Sequence, residues 1–164
     1  ELFDALINRE GGSPNVEFLR DVLEFRANIA RMLVRLAAVR RTEDELRKMR
    51  ELVKERARNK DDALALAETS RRLFHEIAYA AHNTVCQLMF NTVELVSAKL
   101  QISVDFPILG FEQGQDIYGR LLDAFERKDD ALAELVIIRF VEAIAQGISL
   151  GGSSESVLYL GTTR

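Results

Sequence analysis

"SPNVEFLRDVLEFRANIARMLVRLAAVRRTEDELRKM", residues 13–49, decides the fold class. Phe18, Val22, Phe25, Ile29, Met32, Leu33 and Leu36 recur through it in steps of three and four. That spacing returns side chains to one side of a 3.6-residue turn, so the stretch reads as a long amphipathic helix. Ser13 is placed to cap it and Pro14 to stand in its first turn. Thr42 and Glu45 then form the pair expected of a capping box, so a second helix starts directly after the first ends. Its apolar stripe is narrow: Leu46, Met49, Leu52 and Val53.

Outward from this pair the same periodicity continues. After the polar break "RNKDD" a third helix is expected from about Asp61 to His82, with Leu64, Leu66, Leu73, Phe74, Ile77 and Ala78 facing inward. A fourth, from about Thr84 to Leu100, is apolar nearly all round, which predicts a central position. Pro107 and Gly110 break the pattern in "ISVDFPILGF", where "ISVDF" alone alternates like a strand. Fifth and sixth helices are expected over about Glu112–Arg127 and Asp130–Leu150. The expected architecture is all-α, an antiparallel bundle of six or seven helices. Residues 1–150 form this domain, and 151–164, "GGSSESVLYLGTTR", read as a flexible C-terminal tail. The chain opens on Glu1 inside an amphipathic pattern, "ELFDALINRE", which reads as a piece of a longer protein.

Composition narrows the classes of function. The chain has 164 residues, a net charge of −4 and a pI near 5.3, a poor electrostatic match for nucleic acid. The basic run "VRRTEDELRKMRELVKERARNK" has acids interleaved and reads as a solvated helix face. Cys86 is the single cysteine, so neither an internal disulfide nor a thiolate metal cluster can form, and its apolar neighbours suit a buried, inert thiol. No stretch approaches the ~18 apolar residues of a membrane span, and no signal peptide is visible, which places the chain in the cytoplasm.

The two histidines fall within "SRRLFHEIAYAAHN", residues 70–83. His75 and His82 are seven residues apart, roughly 10 Å along a helix, too far to share one ion. Arg71 stands one turn before His75, where a metal site would need a carboxylate. No metal and no cofactor are therefore expected, and the absence of a nucleophile elbow, phosphate loop or zinc-protease motif argues against an enzyme. His82, at the end of the third helix, reads as a packed residue suited to the helix dipole. Other polar residues interrupt apolar faces: Arg26 on the first helix, Arg71 and His75 on the third, Asn83 at its end and Tyr118 on the fifth. If these five converge, they form a basic, hydrogen-bonding pocket for an anionic or carbonyl-bearing molecule with a hydrocarbon part. The alternative is that the arginines pair at the surface with acids such as Glu24 and Glu68.

The order of these features resembles the C-terminal effector domain of the FadR subfamily of GntR-type bacterial transcription regulators, the FCD domain. The first long helix of that family carries an Arg before an alanine-rich run, here Arg26 before Ala37, Ala38 and Thr42. A later helix carries a Phe-His pair followed by an Asn, here Phe74, His75 and Asn83. The resemblance spans about residues 15–145. It implies a dimeric ligand sensor that follows a winged helix-turn-helix DNA-binding domain, which is expected to be absent from this chain. Many members hold a divalent metal through one Asp and three His. Those positions fall on Arg71 and His75 beside the Phe-His pair and, counting from "KDD", on Tyr118 and Phe140, so the metal is not carried over. A fatty acyl-CoA or fatty acid is then the expected effector, with an organic acid second. The competing reading is a ligand-free helical dimerisation module. A metal-dependent helical bundle is disfavoured by the shortage of ligands.

Overall fold

The computed structural model describes residues 16–99 and 111–150. Six helices make up these residues: α1 (Val16–Arg40), α2 (Glu43–Arg58), α3 (Ala63–Ala80), α4 (Thr84–Lys99), α5 (Phe111–Glu126) and α6 (Asp130–Leu150). The expected all-α bundle is what forms. Ser13, Pro14, the "ISVDF" segment and the tail from 151 lie outside the described residues.

The chain reverses at sites written into the sequence. Between α1 and α2, Thr42 Oγ1 accepts from the Glu45 backbone N–H, and Glu45 Oε2 accepts from the Thr42 N–H at 2.7 Å. Asp62 caps α3 through a bond from the Ala65 N–H. Asn83 caps α4, its Oδ1 accepting from the N–H groups of Val85 and Cys86. Asp129 does the same for α6 with the Leu132 N–H. Two of these reversals pass through the left-handed backbone region without glycine, at His82 (φ 45°) and Lys128 (φ 54°). Each costs about 1 kcal/mol relative to glycine, and each stands directly before its capping residue.

The helix at the centre is α1, not α4. α1 packs against α3, α4, α5 and α6. Its alanines 37 and 38 are fully buried, and the missing side-chain bulk lets neighbouring backbones approach. α4 lies at the edge, against α1 and α3. Cys86, Phe90 and Val93 turn inward, where the Cys86 thiol meets the Met32 sulfur at 3.6 Å. Val85, Leu88 and Leu95 are more than 60% exposed. An all-round apolar helix can fill a core or present a second apolar face, and here it does the latter. Leu64, expected inside, is also exposed, because α3 packs through Thr69, Ser70, Leu73, Ile77 and Ala78.

His82 ties two reversals together. Its Nε2 lies 3.1 Å from Glu45 Oε2, the same oxygen that accepts from Thr42, while Arg40 donates to the carbonyls of Ala81 and His82. Burial alone would raise the Glu45 carboxyl, but the bonds from Thr42 and His82 outweigh it and hold the group below its ordinary 4.5. A carboxyl whose folded value is depressed stabilises the fold above its unfolded value. That contribution is lost as pH falls from 4.5 through the folded value. Urea unfolding should therefore show Glu45→Gln less stable than wild type by about 1 kcal/mol near pH 6, with the gap closing toward pH 3. A gap that persists in acid would mean that the carboxylate charge is not what the capping box uses.

Candidate ligand site at the centre of the bundle

The inward stripe of α3 runs through Ser70 and Phe74, one turn apart. Ser70 is fully buried and bonds back to the Leu66 carbonyl at 2.8 Å. Phe74 meets Tyr118 of α5 edge-on, with ring centroids 6.4 Å apart, and stacks on Phe140 of α6 at 6.3 Å. Tyr118 is fully buried and Phe140 nearly so. Three helices thus contribute one ring each to a single aromatic cluster.

Beside this cluster lies a residue that the sequence reading placed on a solvated face. Arg56 of α2 is 1% exposed. Its guanidinium carbon sits 5.1 Å from the Phe111 ring centroid and 5.3 Å from that of Tyr118. NH1 donates to the Phe111 carbonyl at 3.3 Å and to Gln115 Oε1 at 3.1 Å. Gln115 is held in turn by donating to the Val53 carbonyl. A Cβ built on Gly114 would come within 2.6 Å of Arg56 NH2, so glycine is what makes room for this side chain. Burial pushes the Arg56 pKa down, partly offset by Tyr118. The signal was available in the sequence: Leu46, Met49, Val53 and Arg56 follow steps of three, four and three, so Arg56 continues the apolar stripe of α2.

The five residues expected to converge do not do so. Arg26 faces α4, where NH1 lies 2.8 Å from Glu94 Oε1 and 3.3 Å from Ser97 Oγ. Arg71 is exposed and pairs with Glu68 through two bonds of 2.8 and 2.9 Å. His75 packs its ring on Phe90, centroids 5.3 Å apart. It lines an open groove with Lys48, Glu51, Arg71, Arg72 and Glu76. Asn83 is occupied as the α4 cap. Of the five, Tyr118 stands in the aromatic cluster. The surface-pair alternative thus describes Arg71, although Arg26 pairs across helices and not with Glu24. Arg26 and His75 both reach α4, but at Glu94 and Phe90 respectively.

A family model, the FCD domain, matches residues 21–143. The chain belongs to the FCD family. FCD domains are the effector-binding and dimerisation domains of GntR-family regulators. A comparison with curated proteins found no match.

Family membership raises the question of a metal. Residues that share one ion must converge on one point, and the α3 residue that meets Tyr118 and Phe140 is Phe74, with Ser70 buried one turn before it. Arg71 and His75 are each turned one residue away. The four positions that the resemblance gave, Arg71, His75, Tyr118 and Phe140, therefore do not meet at one point. The residues that meet in the core of this FCD domain are Phe74, Tyr118 and Phe140, with Ser70 buried one turn before Phe74. One hydroxyl, one phenol and two hydrocarbon rings do not fit a divalent cation, which takes imidazole and carboxylate donors. Among the described residues there is no group of three or more His, Cys, Asp or Glu placed to hold one.

Proposed function

We propose that this FCD domain is the ligand-sensing and dimerising part of a GntR-type transcription regulator of the FadR kind. It takes a metal-independent effector with a hydrocarbon body. A fatty acid or fatty acyl-CoA is the first choice and another organic acid the second. The observation that carries this reading is the Phe74–Tyr118–Phe140 cluster in the bundle, which offers apolar ring surface and few metal donors. Aromatic walls bind apolar matter through burial and do not catalyse, so the domain acts by binding and not as an enzyme. The effector controls DNA binding by preferring one of two helix arrangements, which moves attached winged helix-turn-helix domains. Such a regulator works in the cytoplasm. Among the described residues no helix is long and apolar enough to cross a membrane.

The dimer surface in this reading is the outer face of α4 with the adjoining edge of α1. Val85, Leu88 and Leu95 recur at steps of three and seven, and Phe25 and Met32 of α1 are also exposed seven residues apart. Between the two helices lies a mainly apolar groove lined by Phe18, Val22, Phe25, Val93 and Val96 together with Asp21 and Thr92, so the apolar surface runs from one helix to the other. Exposed apolar stripes at heptad spacing associate with a second copy by two-fold symmetry.

Native mass spectrometry tests both halves of the proposal in one measurement. The purified chain should appear at about twice 18.5 kDa, with a co-purified amphiphile adding mass. Leu88→Asp with Leu95→Asp should give a folded monomer at micromolar concentration, because both side chains point outward. A monomeric wild type would remove the dimerising role. A dimer that neither carries nor takes up any acyl compound would favour the ligand-free module.

A further inference from the structure

Among the described residues Arg56 is a buried charge without a counter-charge. No carboxylate among the described residues forms an ion pair with it, and its Nε has no hydrogen-bond partner. By contrast, Arg26, Arg31, Arg35, Arg41 and Arg72 all reach an acid. Leaving a guanidinium unpaired in a core is costly, and an apolar residue of similar size is often more stable there. Yet Gly114, Gln115 and two aromatic rings are all arranged around it. Such an arrangement makes sense where the missing anion arrives from outside.

We propose that Arg56 is the anchor for a carboxylate ligand, whose hydrocarbon part lies against the Tyr118, Phe74 and Phe140 rings. The inference rests on the effector-binding reading and narrows it to the free acid. Charge balance selects the chemistry. A carboxylate brings one negative charge to one guanidinium and matches its planar fork, leaving Nε and NH2 to donate as a pair. A thioester brings no charge. A nucleotide phosphate brings more than one, with a polar body that the rings cannot take up. Of the two rings that flank the guanidinium, Tyr118 is fully buried and Phe111 half-buried, so the ligand approaches on the Phe111 side. In the free protein the two ring faces partly stand in for the anion by cation–π attraction.

The test is calorimetric titration of the purified chain with octanoate, methyl octanoate and octanoyl-CoA. Nitrogen-15 NMR of the arginine Nε–Hε signals gives a second readout. Octanoate should bind, and the ester should bind at least roughly tenfold more weakly, since it lacks the charge-assisted bonds. Arg56→Met should bring octanoate down to the ester's level while raising the melting temperature of the ligand-free protein. Arg120→Met, on the surface of α5, should change neither. In wild type one Nε–Hε signal, absent from Arg56→Met, should shift on adding octanoate. If Arg56→Met does not fold, Arg56→Lys and the wild-type NMR shift decide, because lysine keeps the charge but not the paired donors. Equal binding of acid and ester, unchanged octanoate affinity without Arg56, or an unmoved Arg56 signal would overturn the anchor. If octanoyl-CoA or the ester binds as tightly as octanoate or more tightly, the sensing role stands and the anchor falls; if none of the three binds, both fall.

Discussion

Tyr118→Ala should destabilise the domain by about 3–5 kcal/mol, the range for removing a large buried aromatic side chain. Tyr118 is fully buried, and its ring is shared by Phe74 on one helix and the Arg56 guanidinium on another. Truncation opens a cavity between them and takes away one of the two rings that shield the buried charge. Against a typical total of about 5–15 kcal/mol this is a large fraction, so the urea midpoint should fall steeply. Tyr118→Phe keeps the ring and should cost far less. Equal losses for the two variants would show that ring packing is not the dominant contribution of this residue.

The second large effect is expected at Arg41, in the link between α1 and α2. Arg41 is 5% exposed. Its Nε donates to the Phe125 carbonyl at 3.1 Å and NH2 to the Glu126 carbonyl at 3.2 Å, while NH1 pairs with Glu43. The end of α5 leaves carbonyls without intrahelical partners, and one cation donates to two of them at the negative end of the helix dipole, the Phe125 carbonyl also accepting from the Lys128 N–H. Arg41→Met keeps most of the packed volume and removes every one of these bonds. Stability should drop by about 2–3 kcal/mol, a net figure after the relief of no longer burying a charge. Hydrogen exchange should quicken most at the α5–α6 turn, residues 126–129. Slowed or unchanged exchange there would mean that Arg41 does not hold that turn.

What the sequence made legible follows from what each signal physically encodes. Thr42 and Glu45 specify a helix start through their own backbone bonds, so no tertiary knowledge was needed, and both halves of the capping box are present. Helix existence was legible for the same local reason. The position of α4 was not, because an apolar face seeks cover without saying whether core or partner supplies it. On α3 the expected site residues Arg71 and His75 stand one position after the residues that turn inward, Ser70 and Phe74. Phe74 and His75 differ by only about 100° around the helix axis, and matching two letters does not say which side chain faces in. The burial of Ser70 and the contacts of Phe74 with two other helices settle that angle. Arg56 was hidden by composition. "KERARNK" looks solvated when its charges are counted together, whereas the three-four-three spacing separates Arg56 from its neighbours.

The central claim is that the core of this FCD domain presents the Phe74, Tyr118 and Phe140 rings and works without a bound metal ion. Elemental analysis of untagged protein tests this most directly. Zinc, nickel and manganese should each be well below one equivalent per chain, both as purified and after incubation with the metal followed by desalting. One tightly held equivalent would contradict the account, since Ser70, Phe74, Tyr118 and Phe140 offer no donor set able to retain it.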